Sequence, residues 1–142
     1  MIVRPWQIGD TAKIEIQDDQ QYLSNIIDMN RDLTYLSEAN LLWTFVQDTR
    51  IMAVMGLEPQ WEGRAVAWAL ISKHIGKHFA FVHKYVDNFI TCSGFRRVEA
   101  TVDVGFEQGH RWMRMLGFEL EGYMRAYRPD GKDMILYSKV RF

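Results

Sequence analysis

A single cysteine, Cys92, is all the thiol this chain carries, so no disulfide can form within it. That fits a reducing compartment, and Cys92 reads as a core thiol. Charge of one sign is lacking too: 17 Lys and Arg stand against 18 Asp and Glu, a formal net charge of −1. Such balance gives no global field to draw in nucleic acid or an acidic membrane. The Arg96-Arg97 and Arg111/Arg114 pairs have acidic residues interspersed around them, so no nucleic-acid partner is expected. No apolar run approaches the roughly eighteen residues of a membrane span, and no apolar signal core follows the N-terminus, so the expectation is a cytoplasmic chain without membrane contact. Repeats, low-complexity tracts and Pro- or Ser-rich linkers are also missing.

What is present is an ordinary globular composition. Hydrophobic residues make up 48% and charged residues 25% of 142 residues, which suits one domain spanning 1–142 that buries a core without disulfides or metals. Aromatics reach 13% with five Trp, enough large side chains to fill a core or line a cleft.

Periodicity and punctuation place the elements. Residues 2–4 form a short strand stopped by Pro5, and Gly9-Asp10 offers a turn and N-cap for a helix over 11–16. In 20–36, Tyr22, Ile26, Ile27, Met29 and Leu33 recur at three- and four-residue steps, which predicts a second helix. Two β-like runs, 42–47 and 50–57, flank Asp48-Thr49 as a hairpin, with 59–63 as a loop after it. The nearly continuous apolar run 64–71 suits a central strand covered on both faces. A helix over 78–90 ends at Ser93-Gly94, a strand covers 97–104, and a helix over 107–116 is closed by Gly117. Pro129-Asp130-Gly131 then separates strands 118–127 and 134–140. The order β-α-α-β-β-β-α-β-α-β-β predicts an α/β fold with about seven strands and about four helices. The central strand-helix-strand unit requires a crossover, hence local parallel pairing inside a mostly antiparallel sheet.

The segment Trp112-Met113-Arg114-Met115-Leu116-Gly117-Phe118-Glu119-Leu120-Glu121-Gly122, preceded by Val98-Glu99-Ala100-Thr101-Val102 and followed by Tyr127-Arg128-Pro129-Asp130-Gly131, resembles the GNAT N-acetyltransferase superfamily. With the element order, this implies a GNAT-like fold and an acyl-CoA-dependent N-acyltransferase, in which an amine of unknown identity attacks acetyl-CoA directly in a ternary complex. The resemblance implies that Ala69, Leu70 and Ile71 hold the pantetheine arm. It gives the pyrophosphate to the loop Ser72-Lys73-His74-Ile75-Gly76-Lys77-His78, since backbone N–H groups at a helix start favour phosphate oxygens. His78 stands there in place of a small residue.

Phe106 falls where the family often has an Asn, and Met113 where it often has the Tyr that protonates the departing thiolate. His110, Tyr123, Tyr127 or water are left as acids. Glu99 and Glu58 are the candidate bases, beside a held water. His74, His78 and His83 approach one helical face, but no Cys or acidic cluster joins them, so no metal is expected. Together with the Trp68-Ala69-Leu70-Ile71-Ser72 run, the chain is also similar to GNAT-like proteins of tailed phages and prophages, some linked to internal virion or core assembly. That likeness implies a second function: a catalytically degenerate module whose partners are phage structural proteins.

Overall fold

The computed structural model describes residues 1–141. Seven strands hydrogen-bond in the order β1-β2-β3-β4-β5-β7-β6. They are β1 (Ile2–Pro5), β2 (Leu42–Gln47), β3 (Arg50–Trp61), β4 (Arg64–Ile71), β5 (Arg97–Asp103), β6 (Glu119–Met124) and β7 (Met134–Val140). The helices among the described residues are α1 (Asp10–Lys13), α2 (Thr34–Glu38), α3 (Phe79–Cys92) and α4 (Glu107–Met115), with 3-10 helices at Asp18–Asn25 and Gly76–His78. Pairing of β4 with β5 is parallel, and that of β1 with β2, β2 with β3, β5 with β7 and β6 with β7 is antiparallel, as the crossover over α3 requires. The α/β, mostly antiparallel fold class expected from the element order is the one observed.

Contacts divide the chain into two compact units, one of Met1–Glu58 with Trp68–Val86, the other of Pro59–Ala67 with the chain from Asp87 onward. In the first, Trp6, Leu36, Leu42, Val54 and Leu70 belong to one buried cluster. An ion pair ties the end of β1 to the first residue of α1. The Arg4 guanidinium reaches Asp10 at 2.7 and 2.9 Å, while Asp10 also accepts from the Gln7 N–H and the Thr44 hydroxyl. Burial of Asp10 opposes ionisation, yet these donors outweigh it and hold the carboxyl below its usual range. In the second unit, Val98, Ala100 and Val102 of β5, Ile135 and Tyr137 of β7, and Met113, Leu116 and Phe118 are buried.

Three local expectations are corrected. Residues 20–36 do not form one helix. Asp28 and Asp32 turn their carboxylates back onto the N–H groups of Asn30 and Thr34, both at 2.9 Å, which supplies the backbone with a local alternative to helix bonds. The apolar spacing there serves packing instead, with Leu33 buried and Leu23 and Met29 set against the core. The loop expected at 59–63 shrinks to Glu62-Gly63, because β3 runs on through Pro59 to Trp61 at its exposed end and Gly63 takes a φ of 83°. Cys92 is exposed rather than buried in the core.

Candidate functional site

Within the first unit the site assigned to Ala69–His78 begins on the edge of β4 that faces away from β3. Ser72 N–H donates to Met52 O of β3 at 2.9 Å, and backbone groups alternate along a strand, so Ala69, Ile71 and Lys73 present theirs on the other edge. That edge is occupied by residues 15–20 of the same chain. Lys73 N–H donates to Glu15 O at 2.8 Å, and Gln17 N–H donates to Ile71 O at 2.9 Å. The Gln20 carboxamide closes the row: its Oε1 accepts from Ile71 N–H at 3.0 Å, and its Nε2 donates to Ala69 O at 2.8 Å. Ile16 and Ser72 form an antiparallel bridge at the centre of this contact. Leu70 and Ile71 are themselves buried.

The loop that follows is built on Ser72, which is fully buried. Its hydroxyl accepts from His74 N–H at 3.0 Å and its carbonyl from Ile75 N–H at 3.1 Å, folding the chain into the 3-10 turn that opens α3. Gly76 has a φ of 44°, and a Cβ built on it meets no atom within 4 Å, so the backbone there lies open. Lys73, His74 and Lys77 are exposed around it and His78 partly so. Glu15 takes part of this charge, its Oε2 lying 3.1 Å from His74 Nε2 and 3.6 Å from Lys73 Nζ. Hydrogen bonding to His74, then the nearby Lys73 charge, lowers the Glu15 carboxyl from its usual range.

Glu58, at the outer part of β3, belongs to the same unit. It accepts the Tyr35 O–H at 2.7 Å and lies 4.0 Å from Arg31. The bond to Glu58 raises the Tyr35 hydroxyl above its usual range.

The other three candidates lie in the second unit, and each is bound into it. Glu99 is clamped between Arg64, which reaches it at 2.8 and 2.7 Å, and Arg97 at 2.7 Å, while Arg97 passes on to Glu121. The Arg64 guanidinium, helped by Arg97, overcomes burial and pulls the Glu99 carboxyl down to about 2. A carboxylate held so acidic is a weak proton acceptor. His110 is buried, its Nε2 facing Val104 O at 3.0 Å and its Nδ1 facing the Tyr137 hydroxyl at 2.7 Å. A carbonyl only accepts, so Nε2–H donates to Val104 O, while Nδ1 pairs with the Tyr137 hydroxyl. His110 therefore serves as a structural link. Tyr123 is exposed and donates to Asp133 at 2.8 Å, which raises its hydroxyl and makes it a poorer acid near neutrality. Met113, at the position where the resemblance implies a donor Tyr, is a buried apolar side chain. Among the described residues no three His, Cys, Asp or Glu side chains gather as a metal site, and no helix is long and apolar enough to cross a membrane.

Glu15, Gln17 and Gln20 are not among the residues the sequence marks for the site, because its spacing predicts one helix over 20–36 and another over 11–16. The available signal was the polar run Gln17-Asp18-Asp19-Gln20-Gln21, which offers no apolar face.

No family model and no curated protein sequence matches the chain. Solved structures do. A ribosomal-protein-alanine N-acetyltransferase from Brucella melitensis is similar with a TM-score of 0.76 at 12% identity, covering 99% of this chain and 100% of its own. Ard1 from Thermoplasma volcanium reaches a TM-score of 0.79 at 11% identity, over 99% and 97% of the two chains. A GNAT-family acetyltransferase from Streptococcus pneumoniae gives 0.73 at 14% identity, over 99% of both. At such identities the likeness is one of backbone, and it spans the whole chain: this protein has the fold of the GNAT acetyltransferases.

Proposed function

We propose that the chain is an acyl-CoA-dependent N-acyltransferase whose donor-binding edge is closed in its resting state. The observation that carries this reading is the continuity, within one unit, of an outward-facing β4 edge with a basic loop at the start of α3. Ala69 and Ile71 offer the carbonyl and N–H that an amide-bearing pantetheine arm needs. Ser72–His78 offers an open Gly76 backbone among Lys73, Lys77 and two histidines, which suits a pyrophosphate. In the reaction the amine nitrogen forms a bond to the acetyl carbonyl carbon, the carbon–sulfur bond breaks, and the thiolate leaves. The amine proton passes to Glu58, and water returns a proton to the sulfur, because Met113 cannot. Holding both reactants together supplies most of the acceleration.

Thiol release from acetyl-CoA with a panel of peptide and polyamine acceptors tests this. Saturable, acceptor-dependent release is expected, and Glu58→Gln should lower kcat by about 100-fold, the scale of one general base. No binding and no turnover at millimolar acetyl-CoA would sink it.

A second reading has its own observations. Glu99 is locked by two arginines, Met113 is buried, and β4's edge is covered, which together suit a GNAT-fold module that acts by binding, such as the phage virion-assembly role. Absence of acetyl-CoA binding, with virions that fail to assemble when the gene is deleted from a phage genome, would favour it.

A further inference from the structure

Resting on the acyltransferase reading, we infer that residues 15–20 are an autoinhibitory strap that imitates acyl-CoA at two points. The first is the Gln20 carboxamide. It gives one acceptor to Ile71 N–H and one donor to Ala69 O, the two functions that an amide in an extended ligand arm would present to this edge. Ile71 N–H has one proton, so strap and ligand exclude each other there. The second is the Glu15 carboxylate, which places a negative charge 3.1 Å from His74 Nε2 and 3.6 Å from the Lys73 ammonium, groups that would meet an anionic phosphate. Amide and anion are thus held in one segment, against the edge and the loop proposed for the amide and anionic parts of the ligand.

The strap is built to be held and to yield. Ile14 and Ile16 anchor it in the core, whereas Asp18, Asp19 and Gln21 are exposed and Gln20 is only half-buried. Gln17 Nε2 braces Gln20 Oε1 at 3.1 Å, and Gln21 Nε2 holds Ile16 O at 2.7 Å, which keeps the carboxamide aimed at β4. The bonds that must break on ligand entry are neutral or solvent-screened, the class whose individual net contribution is small.

Three variants separate this from a purely structural role. Gln20→Ala removes the amide mimic, Glu15→Ala removes the anion mimic, and Gln17→Pro removes the N–H bonded to Ile71 O at a position whose φ of −65° proline accepts. Calorimetric titration of each full-length variant with acetyl-CoA should show tighter binding than wild type, about tenfold for Gln20→Ala, as two neutral hydrogen bonds no longer compete. In the free protein, Ile71 amide hydrogen exchange should quicken in Gln20→Ala, and raised salt should weaken acetyl-CoA binding more in Glu15→Ala than in wild type, where the phosphate only replaces one anion by another. Equal affinities in all four proteins would overturn the strap and leave the acyltransferase reading standing. Absence of binding in all four, with faster Ile71 exchange in Gln20→Ala, would overturn both and leave residues 15–20 as ordinary structure.

Discussion

Glu99 shows how one side chain that looks catalytic is claimed by folding. Its position in a strand after the crossover was legible in the sequence. Arg97, two residues before it on the same strand, is a local partner, but Arg64 was not legible, because it is 35 residues away and nothing local marks the pairing. The carboxyl sits at about 2 in the folded chain against 4.5 ordinarily, so its contribution to stability is complete above about pH 4.5 and lost as pH falls toward 2. Glu99→Gln should therefore destabilise the protein by roughly 2 kcal/mol at neutral pH, the scale of a charge-assisted bond, and flatten the acid limb of a pH-dependent denaturation curve. An acid limb unchanged by the substitution would rule this clamp out. His110 gives a parallel case. Tyr137→Phe leaves Nδ1 facing an apolar ring and should cost about 1–3 kcal/mol in urea unfolding while leaving acetyl-CoA affinity unchanged. A loss of turnover without a loss of stability would instead return His110 to the reaction.

At the scale of elements, the stretch from Trp112 to Phe118 was readable because its signals are local. Gly117 takes a φ of 81°, its N–H bonds Arg114 O at 3.0 Å, and Phe118 N–H bonds Met113 O at 2.9 Å, the paired closure that ends a helix at glycine. Gly117→Ala forces a Cβ into the left-handed region and should cost roughly 1–2 kcal/mol of stability, read as a lower Tm. The hairpin around Pro129-Asp130-Gly131 and the crossover over α3 were legible on similar grounds. Residues 15–36 were not. The apolar spacing over 20–36 looks helical, while the decisive bonds run between side chains and backbone: Asp28 to Asn30, Asp32 to Thr34, and Gln20 across 49 residues to Ala69. Periodicity carries no information about such bonds.

For the molecule as a whole, backbone likeness spans nearly the full chain at identities of 11–14% to the solved structures described, so the fold is shared where most side chains differ. Function then rests on sites. A net charge of −1 leaves no long-range field to gather an anionic ligand, which puts the weight on the local loop cations and on whether residues 15–20 release β4. Ligand that binds only the folded chain should raise Tm with concentration, by RT ln(1 + [L]/Kd) in free energy, so a thermal shift series gives an independent affinity. The most direct measurement is an NMR titration of the wild-type protein with acetyl-CoA to millimolar concentration. If the account holds, the Ile71 amide and the Gln20 side-chain NH2 resonances move together and saturate with one Kd, as one partner replaces the other. If both stay fixed while ligand reaches millimolar excess, the edge of β4 is not a donor site and the account is wrong.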